Sequence, residues 1–304
     1  MKLVKSLLKS FAASQAELLQ SDNVKRARRS LSDSAESIED ICWPAQMQLD
    51  GISELEYYKL QPHITSQLSI ILRKVLSMQK NAVSRNIDSL SDTVRGPCDS
   101  GSIFGTALHL IPGEVVDDST GLPMVLLEVM RVFVRRDGFS REGPFRIEGD
   151  KAVLASVIEA IKFGYELPST VLETAPTAIL ASLIKRFYRQ IPGSLISLPA
   201  TKLLVSINEQ VKDMYLRRWA IQLVLLSLPY RNFKALLALL ALLQACSFHA
   251  SEHKMSASGL AVCLGPSLFD CGMDLPLVNA SNNLLTNLIT HRDEYVKLKP
   301  FYIK

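Results

Sequence analysis

Apolar residues recur at intervals of three and four along most of this chain, and alternation at intervals of two is scarce. That is the spacing of helices with one buried face, so an all-α protein is expected. Met124–Val134, Lys151–Phe163, Thr177–Tyr188, Ala200–Leu216, Arg218–Leu228, Phe233–Ala245, Ser256–Phe269 and Asn279–Tyr295 all read as helices. Within and just after the third, Leu180, Leu183, Ile184, Phe187 and Ile191 form one stripe, and Pro192-Gly193 supplies a stop. No alternating run lies between Asn-Gly or Asp-Gly turns, so no hairpin sheet is predicted.

The first hundred residues carry the same period in a different setting. Met1–Gln20 places Leu3, Val4, Leu7, Leu8 and Phe11 on one face, with Lys2, Lys5 and Lys9 elsewhere on the wheel. Such a basic amphipathic helix suits a membrane surface, a partner helix or packing on its own domain. A basic run, Lys25–Arg29, then meets the Ser/Asp/Glu-rich Ser30–Asp40, a pairing that reads as a solvated charge cluster in a linker near 25–45. Glu54–Leu90 is helical by its Ile64, Leu68, Ile71, Leu72 stripe, with Pro62 expected one turn ahead of it. Arg95–Ser102, rich in Gly, Pro and Ser, is the best linker, dividing a helical region 1–100 from a domain over 103–304.

Composition narrows the classes. The chain has 304 residues, 48% apolar and 21% charged, enough for a sizeable core and unlike a disordered chain. A net charge of +4 spread over this length lacks the concentrated basic footprint of a nucleic-acid binder, so no nucleic acid is expected. Five cysteines at 42, 98, 246, 263 and 271 show no CxxC pair and read as the reduced thiols of a cytoplasmic protein. The longest apolar runs, Trp219–Leu228 and Ala235–Leu243, fall short of the roughly 20 residues that cross a bilayer.

Chemistry of the self-contained kind is missing from the pattern. The histidines at 63, 109, 249, 253 and 291 are scattered, and His249/His253 lack a third ligand nearby, so no metal site is predicted. Neither a GxxxxGK[ST] loop, nor a nucleophile elbow, nor HExxH occurs. What remains is basic residues beside helix ends. Arg146 lies between Phe145 and Ile147 in the glycine-bracketed Gly143–Gly149, where apolar neighbours would anchor the loop and leave the guanidinium outward. Lys185 and Arg189 stand one turn apart beside the apolar stripe.

Taken with Lys254–Phe269, these segments resemble the Rho GTPase-activating (RhoGAP) domain. The family's EG-[ILV]-FR-x-x-G, LK-x-[FY]-[LFY]-R-x-[LI]-P, LP-x-x-N and KM-x-x-x-NLA-x-x-[FL]-GP-x-L patterns are similar, in that order, to Glu142–Gly149, Ile184–Pro192, Leu228–Asn232 and Lys254–Leu268. Phe104–Leu108 resembles the family's entry segment. The resemblance runs from about Phe104 to Lys304 and covers none of the first hundred residues; with the apolar pattern it gives a RhoGAP-like helical bundle of about eight or nine helices, preceded by an N-terminal segment that the pattern alone reads as helical.

It also implies a GTPase-activating protein. Such a domain binds a Rho-family small GTPase in its GTP-bound form and inserts an arginine that offsets charge on the transferring phosphoryl group. Arg146 matches that catalytic finger; Lys185, Arg189, Asn232, Gly259 and Pro266 match the residues that bind the GTPase or support the finger. No cofactor of its own is implied, because Mg-GTP is carried by the partner. The cytoplasm is the location expected from the reduced cysteines and the short apolar runs, with the basic N-terminal helix as the route of any recruitment to a membrane. Two departures stand out: Gly259 replaces the Asn of the NLA motif, and Pro144 replaces the usual Ile, Leu or Val, which stiffens the loop and removes some anchoring. Gly259 favours the alternative, a catalytically weak or inactive module that binds a Rho-type GTPase or another partner as a scaffold.

Overall fold

The computed structural model describes residues 47–78, 102–163 and 169–298. The predicted helix Met1–Gln20, the charge runs near 25–45 and most of the linker Arg95–Ser102 lie outside the described residues. The described residues carry twelve α-helices and two ribbons of paired two-residue strands, so the fold is all-α. They divide into two compact units. One gathers 47–78, 202–230 and 293–298; the other gathers 102–163, 169–201 and 231–292. Residues 202–230 and 293–298, read from sequence with the second domain, therefore cluster with the helix that begins at Glu54.

In the first unit, strand β1 (Met47–Gln48) leads to α1 (Glu54–Met78). Ser53 starts α1 through a reciprocal cap: its N–H donates to Glu56 Oε2 at 2.9 Å, and Glu56 N–H donates back to Ser53 Oγ at 3.3 Å. Pro62 lies inside α1, not a turn before the apolar stripe as expected. The buried stripe starts earlier, at Tyr57 and Leu60, and continues through Ile64, Leu68 and Ile71.

Downstream in the chain come β2 (Val116–Asp117), β3 (Leu122–Pro123), α2 (Met124–Arg135), α3 (Lys151–Phe163), α4 (Ser169–Thr174), α5 (Thr177–Gln190), α6 (Leu198–Gln210), α7 (Met214–Leu225), α8 (Tyr230–Phe248), α9 (Ala250–His253), α10 (Ala257–Leu268), α11 (Leu275–Thr290), α12 (Arg292–Tyr295) and β4 (Lys297–Leu298). α7 packs on α1, and β4 pairs antiparallel with β1. The buried Gln222 of α7 holds the approach to β4, its Nε2 lying 2.9 Å from the Tyr295 carbonyl and 3.0 Å from that of Lys297.

Every long helix predicted after residue 103 is present, with corrected ends. The predicted Ala200–Leu216 helix stops at Gln210, because Asp213 caps a new helix by accepting the Leu216 N–H at 2.8 Å. The predicted Asn279–Tyr295 helix starts earlier, behind the Asp274 cap, and ends at Thr290. The added helices α4, α9 and α12 span six, four and four residues, too short to show a period. By length and composition, α8 alone among the described helices could cross a membrane; 61% of its apolar window is buried within the protein, as in a core helix.

The second unit is built around α5. α2, α3 and α10 pack against it, and α11 packs on α10. The predicted stripe is buried throughout, with Leu180, Leu183 and Ile184 at 0% exposure. Buried Tyr188 donates its hydroxyl to the Ala235 carbonyl at 2.9 Å, and burial pushes that phenol's pKa upward. After α5 the chain reverses through Gly193 and Ser194, both at positive φ (71° and 63°). It then runs beside the end of α10, where Ile196 and Phe269 form a parallel bridge.

Candidate functional site

The segment 142–149 is a tight turn built on two left-handed residues. Gly143 has φ +70° and Phe145 φ +62°; for glycine that is free, whereas for phenylalanine it costs energy that packing must offset. The Gly143 carbonyl accepts the N–H groups of both Arg146 and Ile147 at 3.0 Å. Phe145 is 2% exposed, with its ring 5.6 Å from that of Phe133 on α2. The next side chain, Arg146, is directed outward and is 52% exposed.

Two expectations about anchoring are corrected. Ile147 is 51% exposed, so it does not anchor the loop, while Pro144 is buried and does. The proline therefore recovers apolar burial that its replacement of a branched residue would otherwise forfeit.

Both ends of the turn are tied down. At its start, Gly143 N–H donates to the His253 carbonyl at 3.0 Å. At its end, Gly149 N–H donates to Ser182 Oγ on α5 at 3.0 Å. A Cβ on Gly149 would stand 3.0 Å from both the backbone N and the Cα of Ile179, so glycine is what permits this approach. Ser182 was legible only as a polar residue amid an apolar stripe, and nothing in the sequence pointed to His253 as a tie.

The charges gather on one side. Glu142 lies 3.7 Å from Arg146 and 3.8 Å from Lys254, an exposed three-membered cluster that holds Arg146 only loosely. On α5, Lys185 is half-buried and Arg189 exposed. Cys263 of α10 reports how these parts meet: burial raises its pKa, and the positive charges of Lys185 and Arg146 act in the opposite direction. The loop, α5 and α10 thus bring their distinctive residues to one place. Val262 beside it is 58% exposed.

The other matched residues have plainer positions. Gly259 lies one turn before Cys263, and its N–H donates to the Ser256 cap at 3.2 Å. Asn232 donates through Nδ2 to the Leu195 carbonyl at 3.0 Å, bracing the turn that follows α5. Pro266 is exposed in the last turn of α10. Among the described residues no group of three or more His, Cys, Asp or Glu could hold a metal ion. The arrangement offers an exposed guanidinium on a braced turn, flanked by further cations, which suits stabilising negative charge on a docked group.

Residues 123–272 match the family model described as the RhoGAP domain. The chain carries a RhoGAP domain. The turn that carries Arg146, α5 and α10 all fall inside the matched span of this RhoGAP domain. Similar curated proteins include the Rho GTPase-activating protein gacA of Dictyostelium discoideum, 27% identical over 66% of this chain and 56% of that protein. Rho GTPase-activating protein 20 of Homo sapiens is 29% identical over 61% of this chain and 15% of that protein. The chain therefore spans only part of the curated relatives it matches. In fold it is similar to a crystal structure of human Rho GTPase activating protein 15, with a TM-score of 0.57 and 20% identity over 64% of this chain and 92% of that one.

Proposed function

We propose that this RhoGAP domain accelerates GTP hydrolysis on a Rho-family small GTPase in its GTP-bound form, with Arg146 as the arginine supplied in trans. The observation that carries this reading is the exposed Arg146 guanidinium at the apex of a turn tied to both α5 and the α9–α10 junction. A docked partner would bring its own Mg-GTP, and the guanidinium would place several N–H donors on the charge that grows on the phosphoryl oxygens. Such a finger is worth about 10³–10⁵ in rate, or roughly 4–7 kcal/mol. Most of that gain depends on the donors being in place beforehand, which a braced turn supports. Lysine is a poor substitute because an ammonium is a point charge without the planar fork.

Lys185 and Arg189 then serve docking: they present positive charge one turn apart on α5 without sharing the finger's turn. The weak Glu142 contact is broken at little cost when Arg146 engages the partner. The test is single-turnover GTP hydrolysis by Rho- and Rac-class GTPases with the wild type and with Arg146→Ala. Loss of roughly 10²-fold or more in the variant supports the finger. A wild type that binds the GTP-loaded form without accelerating hydrolysis refutes it.

The second reading, a weak or inactive binding module, is favoured by Gly259. A charge-adjacent hydrogen bond from a side chain at that position would contribute about 1.5–3 kcal/mol, and glycine has none to offer. Against it stands the intact bracing of Arg146, which a scaffold would not need.

A further inference from the structure

The buried His253 has no part in the chemistry just proposed, yet its ring and its peptide converge on the finger turn. The side chain is 0% exposed at the end of α9. Its Nε2 lies 2.8 Å from the Cys246 carbonyl at the end of α8, and its Nδ1 lies 3.0 Å from the Met255 N–H that leads into α10. A carbonyl can only accept and a backbone N–H can only donate. The ring is therefore neutral, with its hydrogen on Nε2 and its lone pair at Nδ1 turned to Met255.

This bridging fixes a short, strained stretch of backbone. Lys254 is left-handed, with φ +58°, and its N–H donates to the Ala250 carbonyl at 2.9 Å. A lysine does not hold that conformation without support from its surroundings. The His253 ring, pinned on both sides of it, supplies that support and aims the His253 carbonyl at Gly143 N–H, 3.0 Å away. The Gly143 carbonyl in turn accepts the Arg146 N–H at 3.0 Å. From His253 to the finger run two backbone hydrogen bonds, Gly143 N–H to the His253 carbonyl and Arg146 N–H to the Gly143 carbonyl, joined through the covalent backbone of Gly143; the ring acts on them by fixing the backbone that carries the His253 carbonyl.

We propose that His253 is a positioning residue for Arg146, using a buried, single-tautomer imidazole to hold the carbonyl that orients the finger turn. This rests on the finger reading for its effect on rate, but its effect on the turn itself does not need a GTPase. Two variants separate the contributions. His253→Ala removes both ring bonds; His253→Asn restores an acceptor for Met255 N–H from a shorter side chain.

Amide hydrogen exchange on the free 304-residue chain is the first measurement. In His253→Ala the amides of Gly143, Arg146 and Ile147 should exchange about 10-fold faster or more, while those of Ile179–Phe187 in α5 keep their rates. His253→Asn should recover part of the protection. Unchanged turn amides, or equal acceleration in α5, would overturn the proposal, the latter by showing a general loss of stability. If the alanine variant does not fold, the asparagine variant decides alone: turn amides faster than wild type with α5 unchanged support the proposal, and any other pattern overturns it.

The second measurement is single-turnover hydrolysis against domain concentration. His253→Ala should lower the saturating rate by about 10-fold, since small misplacements of a positioned group are costly, and change the half-saturating concentration less than about twofold. In an Arg146→Ala background it should lower the rate no further. Acceleration by the wild type with an unaltered rate in His253→Ala would refute the positioning role. A wild type that does not accelerate hydrolysis would instead refute the finger reading, leaving the exchange result to judge the turn.

Discussion

Phe145 is left-handed at φ +62°, and its ring lies 5.6 Å from that of Phe133, so the residue that turns Arg146 outward is itself held inside the core. Strain and anchoring meet at one position, and substitutions there can tell them apart. Phe145→Ala loses the buried ring, at about 3–5 kcal/mol, and keeps the left-handed backbone cost. Phe145→Gly loses the ring and relieves that cost. The glycine variant should be the more stable of the two by roughly 1 kcal/mol in urea denaturation, the reverse of the order found in a helix. An alanine variant as stable as the glycine variant would mean the turn relaxes out of the left-handed region.

At the other end of the turn, Gly149→Ala forces a Cβ to within 3.0 Å of the Ile179 backbone. Backbone at the start of a packed helix does not yield as a side-chain tip does. The substitution should destabilise by about 1–3 kcal/mol and lower the single-turnover rate at saturating concentration. Denaturation and hydrolysis measured side by side check both, and a neutral result would show that the turn moves freely away from α5.

Gly259 behaves differently. A Cβ there would make only ordinary contacts, the nearest being Met255 Cε at 3.4 Å. Gly259→Asn is expected to be tolerated, with stability raised by a few tenths of a kcal/mol from helix propensity. It should also raise the single-turnover rate toward that of domains carrying the family's asparagine. A rate left where it was would show that the missing side chain does not limit this domain.

Acid sensitivity has a traceable source in the ribbon that precedes α2. Burial of Asp117 works against its ionisation, but donors from Ser119 Oγ (2.5 Å), Thr120 Oγ1 (2.7 Å) and Thr120 N–H (2.9 Å), with the nearby positive Arg131, outweigh burial and hold the carboxyl below its ordinary 3.8. The folded value lies below the unfolded one, so the unfolded chain takes up the proton first. The stabilisation is complete above about pH 4 and is lost as pH falls through the folded value. Asp117→Asn should therefore be less stable than wild type near neutral pH, with the gap closing in acid. Urea denaturation over a pH series checks this; a gap of constant size would exclude Asp117 as its source.

Much of this was legible in the order of residues. The 3.6-residue period of apolar positions located the eight helices of twelve residues or more after residue 103, because burying one face demands that spacing. The ordered segments around Arg146, Lys185 and Lys254 carried the family resemblance, and the match over residues 123–272 agrees with it. Helix ends were less legible, since caps such as Asp213 and Asp274 look like any other exposed aspartate until a partner N–H is in place.

What the linear chain by itself determined was which faces are apolar, and hence the helices and the fold class, while its ordered motif segments carried the family resemblance. Helix period and motif alike are properties of residues close together in sequence, where spacing alone sets the physics. Only the tertiary structure decided that Pro144 is buried and Ile147 exposed, that Phe145 is left-handed, and that Ser182 and His253 hold the two ends of the turn that carries Arg146. These depend on groups as far apart as Gly143 and His253 meeting across a hydrogen bond, and local patterns of polarity carry no record of such a meeting.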